Sequence, residues 1–318
     1  MTLRLSRTHL PLLATVAVFV LLYAAAAMRY EGFLSARVFT NLLRDNAFLG
    51  LAAIGMTFVI LSGGIDLSVG AMIGFTSILI GKLIAAGWHP AFAILLALAA
   101  GAGAGAGMGA LIRHFALPPF LVTLAGMFLL RGLAFVIGLE TVTIQHPLYS
   151  AVADFGLRVF PATAIVFLLT LVVAIFVAHY TRFGRNVYAM GGNEQSALLM
   201  GLPVGATKVR LYALSGFCSA LAGVLHTFYT SAGNATAGTM LELDAIAAVV
   251  IGGTLLSGGV GYAFGTLVGV LILGVIQTII TFEGTLSSWW TKIVIGVLLL
   301  LFILLQRLVQ RGTGGTQT

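Results

Sequence analysis

The chain has 318 residues, of which 60% are hydrophobic and 8% charged, and its mean hydropathy is +1.10. Soluble domains carry about 25% charged residues, so a water-soluble fold is excluded, and one bundle of membrane-spanning helices over 1–318 is expected. The formal charge of +7 comes from basic residues scattered at the ends of apolar runs, which gives no basic face for nucleic acid. A lone cysteine, Cys218, excludes an internal disulfide framework, and the six histidines show no paired metal-ligand spacing.

Runs reaching the ~20 apolar residues that a bilayer requires place the spans in chain order. The first follows Arg4 and Arg7 and ends near Ala24–Ala27, a pattern shared with cleavable signal peptides. Its length exceeds the usual apolar region of such peptides, so a retained first helix is expected. Trp88-His89-Pro90 is a turn that divides the uncharged stretch 83–112, and Gly258-Gly259-Val260-Gly261 divides 245–282. The result is an all-α polytopic protein with about ten spans, at 10–28, 46–62, 66–86, 91–112, 118–139, 160–178, 210–231, 244–257, 262–282 and 289–306. The segments 46–62 and 244–257 are short for a full crossing.

The distribution of Lys and Arg sets the expected orientation. With both termini cytoplasmic, the inner side holds Arg4, Arg7, Arg113, Arg182, Arg185, Lys208, Arg210, Arg307 and Arg311 against one acid, Glu194. The outer side holds Arg29, Arg37, Arg44 and Arg158 beside six acids, with the three arginines of its first loop as the exception.

Asp66 is the most informative residue. It lies in Ser62-Gly63-Gly64-Ile65-Asp66-Leu67-Ser68-Val69-Gly70, between two charge-free stretches. An ionised group there is costly and marks ion or substrate pathways, and the Gly63-Gly64 pair interrupts the helix, freeing backbone groups that need a protein-lined or watery cavity. The plainer reading is that Asp66 caps the next helix, and the two can coexist. A second region of acids and paired glycines, Glu242-Leu243-Asp244 through Gly252-Gly253-Thr254 to Gly258-Gly259, lies five spans further on. Interrupted segments in both halves of a chain point to an inverted repeat with discontinuous helices around a central transport site.

Two glycine-rich stretches read as packing faces. These are Gly101, Gly103, Gly105 and Gly107, and Gly261, Gly265 and Gly269. The longest hydrophilic stretch is the loop 179–209. Within it Asn193 can cap a short helix through Leu199 that ends at Gly201, with Leu198, Leu199 and Met200 as its apolar side. Such a helix could rest on lipid or dock into a partner protein. Its scarcity of Lys and Arg argues against a lipid-binding face. No phosphate-cradling Gly-x-x-x-x-Gly-Lys-Ser/Thr loop exists, so any ATP hydrolysis belongs to another chain.

At this point the chain resembles a known family, the sugar permease subunits of bacterial ATP-binding-cassette importers, in the group of the ribose, xylose and galactose permeases. Ile60–Gly70 and Gly191-Gly192-Asn193 with Gly201 carry the likeness, which extends from Asp45 to Gln306. Thr123-Leu124-Ala125-Gly126-Met127-Phe128, the stretch 242–261, and Gly284-Thr285-Leu286-Ser287-Ser288-Trp289-Trp290-Thr291-Lys292 are similar to a permease of galactofuranose importers. The resemblance implies a bacterial inner-membrane importer. A periplasmic sugar-binding protein would deliver the sugar, a second, related permease would complete the pathway, and a cytoplasmic ATPase would bind ATP and magnesium, leaving no cofactor and no enzymatic role in this chain. Asn193, Glu194, Leu198, Leu199, Met200 and Gly201 would form the coupling helix seated in the ATPase, with Glu194 a rim charge.

Sugars are held by Asp, Asn, Gln and Arg with an aromatic face against the ring, which makes Asp66, Ser68, Phe128, Arg131, Asp244 and Gln277, beside Gly63 and Gly64, the candidate pathway residues. Arg131 could pair with Asp66 or Asp244, or line the pathway itself. Trp289-Trp290 reads as an interfacial anchor or a guard of the outer entrance. The rival from composition alone is an ion-coupled secondary transporter, in which Asp66 would be the coupling carboxylate.

Overall fold

The computed structural model describes residues 10–158, 160–287 and 289–311. Arg4, Arg7 and Ser288, which entered the reading above, lie outside the described residues, as do the side chains of Asp154, Arg158, Arg307 and Arg311. The helices run α1 (Leu10–Arg29), α2 (Ala36–Asp45), α3 (Ala47–Leu61), α4 (Val69–Ala85), α5 (Pro90–His114), α6 (Pro119–Ile137), α7 (Pro147–Arg158) and α8 (Ala162–Tyr180). They continue as α9 (Arg182–Gly192), α10 (Glu194–Leu199), α11 (Val204–Thr230), α12 (Leu241–Ile251), α13 (Ala263–Glu283) and α14 (Trp289–Arg311). Two short strands, β1 (Val142–Thr143) and β2 (Ala232–Gly233), pair antiparallel.

Each expected span has a helix at its centre, but they differ in reach. Seven helices (α1, α5, α6, α8, α11, α13 and α14) are long and apolar enough to cross a membrane, and α2 with α3 forms an eighth candidate bent by 53°. The helix of the eighth expected span, α12, begins at Leu241, three residues before the predicted start, and has 11 residues. At ~1.5 Å per residue it covers about 16 Å, half of a ~30 Å hydrocarbon core. The other half of that crossing is not helical. It is the segment 231–240, entered through Ser231 and left through Met240, both in the left-handed backbone region (φ +50° and +64°).

Small residues decide how the helices pack. In α5, a Cβ on Gly109 would lie 2.8 Å from the Val209 Cα of α11, and Cβ atoms on Gly101 and Gly105 would strike the Gly216 and Tyr212 carbonyls of the same helix. Gly103 and Gly107 face open space. The packing face is therefore the four-residue stripe and not the whole alternating run, because only residues one turn apart share a helix face. The second expected face also forms. Gly265 and Gly269 of α13 abut Gly252, which closes α12, and Ala248 of α12, but Gly261 precedes α13 and meets Thr254 instead. Helix α3 is apolar all round and buried at every residue except Phe48, as expected for a helix enclosed on all sides.

The bundle has two ends. Leu61–Gly64, Arg113, Gly191–Gly192, Gly205 and Gly258–Gly261 gather at the end that carries α10, here the α10 face. Tyr30 with Glu283, His89 with His146, and Phe48 with Tyr229 mark the far face.

Candidate functional site

The non-helical segment 231–240 lies antiparallel along α4, fitted into a row of glycines. Gly81 meets Gly233, Gly74 meets the Ala235 and Ala237 carbonyls, and Gly70 meets the Gly238 carbonyl and Glu242. Past β2 the segment has neither helix nor sheet partners, and such backbone is tolerated inside a membrane bundle only where protein satisfies its polar groups. Arg131 of α6 does so. Its Nη1 donates to Ala235 O at 2.6 Å and Ala237 O at 2.9 Å. The Asn234 N–H donates to Ser77 Oγ at 3.1 Å, while Asn234 Oδ1 accepts from the Thr236 N–H and hydroxyl, both at 2.7 Å. The expected partnership of Arg131 with Asp66 or Asp244 is therefore corrected. A guanidinium carries five fixed N–H donors, and here two carbonyls of the non-helical segment accept from the Nη1 amino group.

At the α10 face, Asp66 is fully buried. Its Oδ1 accepts from the Ser68 N–H at 2.9 Å and the Ser68 hydroxyl at 2.6 Å, and its Oδ2 accepts from Ser215 Oγ of α11 at 2.7 Å. Capping in the strict sense is absent, because the N-cap of α4 is Ser68 and its first turn receives no side-chain bond. Asp66 instead closes the turn that leads into the helix and ties that turn to α11. Gly64 admits Tyr212, whose hydroxyl would lie 2.6 Å from a Cβ there.

Beside Asp66, three glycine pairs from distant parts of the chain interlock. The Gly259 N–H donates to Leu61 O at 2.9 Å. A Cβ on Gly258 would sit 2.7 Å from Gly63 N and 3.0 Å from the Gly191 Cα, and one on Gly191 would strike Leu61 O and Gly259 N. Gly63, Gly258 and Gly259 have φ of +82°, +84° and +76°, which glycine adopts without strain. Tyr188 of α9 adds a bond from its hydroxyl to Gly261 O at 2.7 Å. The end of α3, the loop between α12 and α13 and the end of α9 thus meet through glycine backbone, with the Tyr188 hydroxyl as an added tie.

Two residues beyond this junction, Asn193 caps α10, its Oδ1 accepting from the Ser196 N–H at 2.8 Å, and Gly201 turns the chain away at φ +78°. Ala197 is buried in a small cluster with Met190 and Val204, so α10 is held from one side. Its other side is bare, with Leu198, Leu199 and Met200 exposed by 61%, 88% and 69%. Glu194 bonds Lys208 of α11 at 2.6 Å. The expected rim charge is in fact engaged within its own chain.

On the far face a cavity of about 700 Å³ opens between α2, α11, α12, α13 and α14. Asp244 and Gln277 both line it, with Asn41, Asp45 and Tyr229 further round the wall and Trp289 at its exposed rim. Asp244 is bound through both oxygens by Lys292 Nζ, at 2.7 and 2.6 Å.

The candidates therefore fall into separate groups. Gly63, Gly64, Asp66 and Ser68 belong to the α10 face, Asp244 and Gln277 share the far cavity, and Arg131 holds the non-helical segment 231–240 between them. Phe128 joins none of these and lies 67% exposed on the flank of α6. The pathway candidates read from the sequence left out Ser215 and Lys292, and Glu242 entered only as part of the second acid-and-glycine region. Glu242 Oε2 is buried without a hydrogen-bond partner, against Gly70 and within the field of Arg131. An acid two residues from Asp244 at the start of a short helix was the available signal. Nothing local marked the two partners.

A family profile described as "Branched-chain amino acid transport system / permease component" matches residues 38–303. The chain is 52% identical over 307 residues to the inner membrane ABC transporter permease protein YjfF of Escherichia coli K12, covering 95% of this chain and 93% of that protein. It is 46% identical over 275 residues to the ribose import permease protein RbsC of Bacillus subtilis 168, covering 84% of each. It is 36% identical over 323 residues to the fructose import permease protein FruG of Bifidobacterium longum, covering 96% of this chain and 93% of that protein. No solved structure matches the chain. With a profile spanning most of its length and relatives at these identities, the chain belongs to the family of membrane permease components that this profile describes.

Proposed function

We propose that the chain is a membrane-spanning subunit of a bacterial ATP-binding-cassette importer that moves a sugar, galactofuranose, across the inner membrane. A periplasmic binding protein delivers the sugar, a second, related permease completes the pathway, and a cytoplasmic ATPase drives the cycle. The α10 face is then cytoplasmic, with both termini on that side. Membership of the permease family removes the case for an ion-coupled carrier.

The observation that carries this reading is α10. It is capped and anchored on one side, and it offers three adjacent exposed apolar side chains on the other. Binding energy at such contacts concentrates in a few buried anchors, and Leu198, Leu199 and Met200 are the anchors for the ATPase. Asn193 and Gly201 set the ends of the helix, and Glu194 fixes it to Lys208. Movement of the docked ATPase reaches the spans through Gly191–Gly192, which touch the end of α3 and the loop between α12 and α13 directly. Gly63, Gly64, Asp66 and Ser68 shape the cytoplasmic closure, Arg131 belongs to the middle of the pathway, Asp244 and Gln277 belong to its outer part, and Phe128, exposed on the flank of α6, is left to the contact with the second permease.

The test is co-purification of the ATPase and sugar-stimulated ATP turnover in Leu199→Asp and Met200→Asp. Loss of the ATPase, or turnover no longer stimulated by sugar, is expected; normal assembly and coupling would sink the docking reading. Competition for uptake between galactofuranose and D-ribose separates the two substrate assignments.

A further inference from the structure

The far-face cavity has a chemistry that the translocation reading alone does not assign. Both of its acids are already paired, Asp45 with Arg44 at 2.9 Å and Asp244 with Lys292, so neither presents an uncompensated charge to an ion. The side-chain amides of Asn41 and Gln277, by contrast, have no partner among the described residues, and Gln277 lies in the last two turns of α13 with its side chain open to the cavity. An amide offers two donors and an acceptor at once. Thr281 sends its hydroxyl proton to Gln277 O at 2.9 Å, which leaves the Thr281 oxygen as an acceptor towards the cavity. Trp289 stands at the rim with 70% of its surface exposed.

Neutral overall, supplied with both donors and acceptors, and edged by an aromatic face, this wall matches a hydroxyl-rich uncharged ligand. An inorganic ion would leave the free amides unused, and an acyl chain would leave them unpaired, at the cost of a buried polar group without a hydrogen bond. A volume of about 700 Å³ falls within the ~300–1,000 Å³ range of small-molecule sites.

We propose that this cavity is a sugar-binding vestibule contained within one permease subunit, where Asn41, Gln277 and Thr281 bind hydroxyl groups, the Asp244–Lys292 pair supplies a further acceptor and donor, and Trp289 covers one face of the ring. The inference rests on the sugar-permease reading and adds a site at which the released sugar pauses before it meets the broken span.

The experiment uses the full complex in intact cells and takes as probe whichever of galactofuranose, D-ribose, D-galactose and D-fructose the wild type accumulates. If none accumulates, the sugar reading itself fails, and that result is separate from the vestibule. Given an accumulated probe, Gln277→Leu with Asn41→Leu is expected to lower uptake per assembled complex about tenfold, the factor that ~1.4 kcal/mol represents. ATPase co-purification serves as the measure of assembly. A cysteine at Gln277 is expected to react with an impermeant maleimide from outside and to be protected by the same sugar. The native Cys218 is buried and stays silent. Uptake within twofold of wild type in the double variant, or labelling that the sugar leaves unchanged, overturns the proposal.

Discussion

The two ends of the broken crossing are built on opposite principles. At the α10 face, the ends of α3 and α9 and the loop between α12 and α13 meet through glycine backbone, with no side chain between Leu61 O and the Gly259 N–H. At the far face, α2, α12, α13 and α14 stand apart around polar side chains and open space. Backbone-to-backbone packing transmits displacement, because close-packed contacts have little room to yield. A cavity lined by long side chains can instead rearrange around a guest. On the proposed orientation the protein is closed toward the cytoplasm and open toward the outside, and the closed end is the one attached to α10, the proposed coupling helix.

The contrast breaks most sharply at Gly191. Gly191→Ala drives a methyl group into Leu61 O and Gly259 N and is expected to abolish uptake, whereas Gly192→Ala points into open space and should transport normally. Equal uptake by the two variants would show that the junction is not rigid. Next in size is Asp66→Leu, which leaves the Ser68 and Ser215 donors buried without an acceptor. A loss of about 3 kcal/mol of stability is expected, read as thermal unfolding of the purified complex, with Asp66→Asn losing less because its amide keeps an acceptor oxygen.

The non-helical segment between the two ends is tested by Arg131→Leu, which frees the Ala235 and Ala237 carbonyls. Two charge-assisted bonds are removed, and about 2 kcal/mol should be lost. Protease sensitivity of the segment 231–240 is expected to rise, and Arg131→Lys should restore part of the protection. An unchanged cleavage pattern would mean that other groups hold the segment. The smallest effect is expected at the open end. The Asp244–Lys292 pair is partly exposed, with side chains 23% and 41% accessible, so Lys292→Met should cost less than ~1 kcal/mol. A loss as large as that of Asp66→Leu would erase the distinction between a rigid and a yielding end.

Much of this was legible in the residues. Apolar runs, turn glycines and prolines place the helices because they report local burial and local backbone freedom. The cap of α10 is written within nine residues, from Asn193 to Gly201, so sequence alone could read it. The Asp66 motif also announced a break and a buried charge. What the charge touches was not legible. Ser215 lies 149 positions away, and the carbonyls held by Arg131 lie 104 and 106 away. Hydrophobic periodicity states that a residue is enclosed and says nothing of which distant group encloses it.

The sequence by itself determined the membrane bundle, the order and approximate bounds of its crossings, the interruption at Gly63–Gly64 and the short helix beyond Gly192. Those follow from transfer free energy and local backbone preference, which act over a few neighbouring residues. Only the tertiary structure decided that the eighth expected span is helical from Leu241 and preceded by a non-helical stretch of turns, and that Arg131 donates to carbonyls and not to Asp66 or Asp244. It also decided that Asp244 pairs with Lys292 in the wall of a cavity and that three glycine pairs close on one another. These are long-range contacts. Each is selected by which surfaces fit and which freed backbone groups still need a partner, and neither condition exists until the helices have packed.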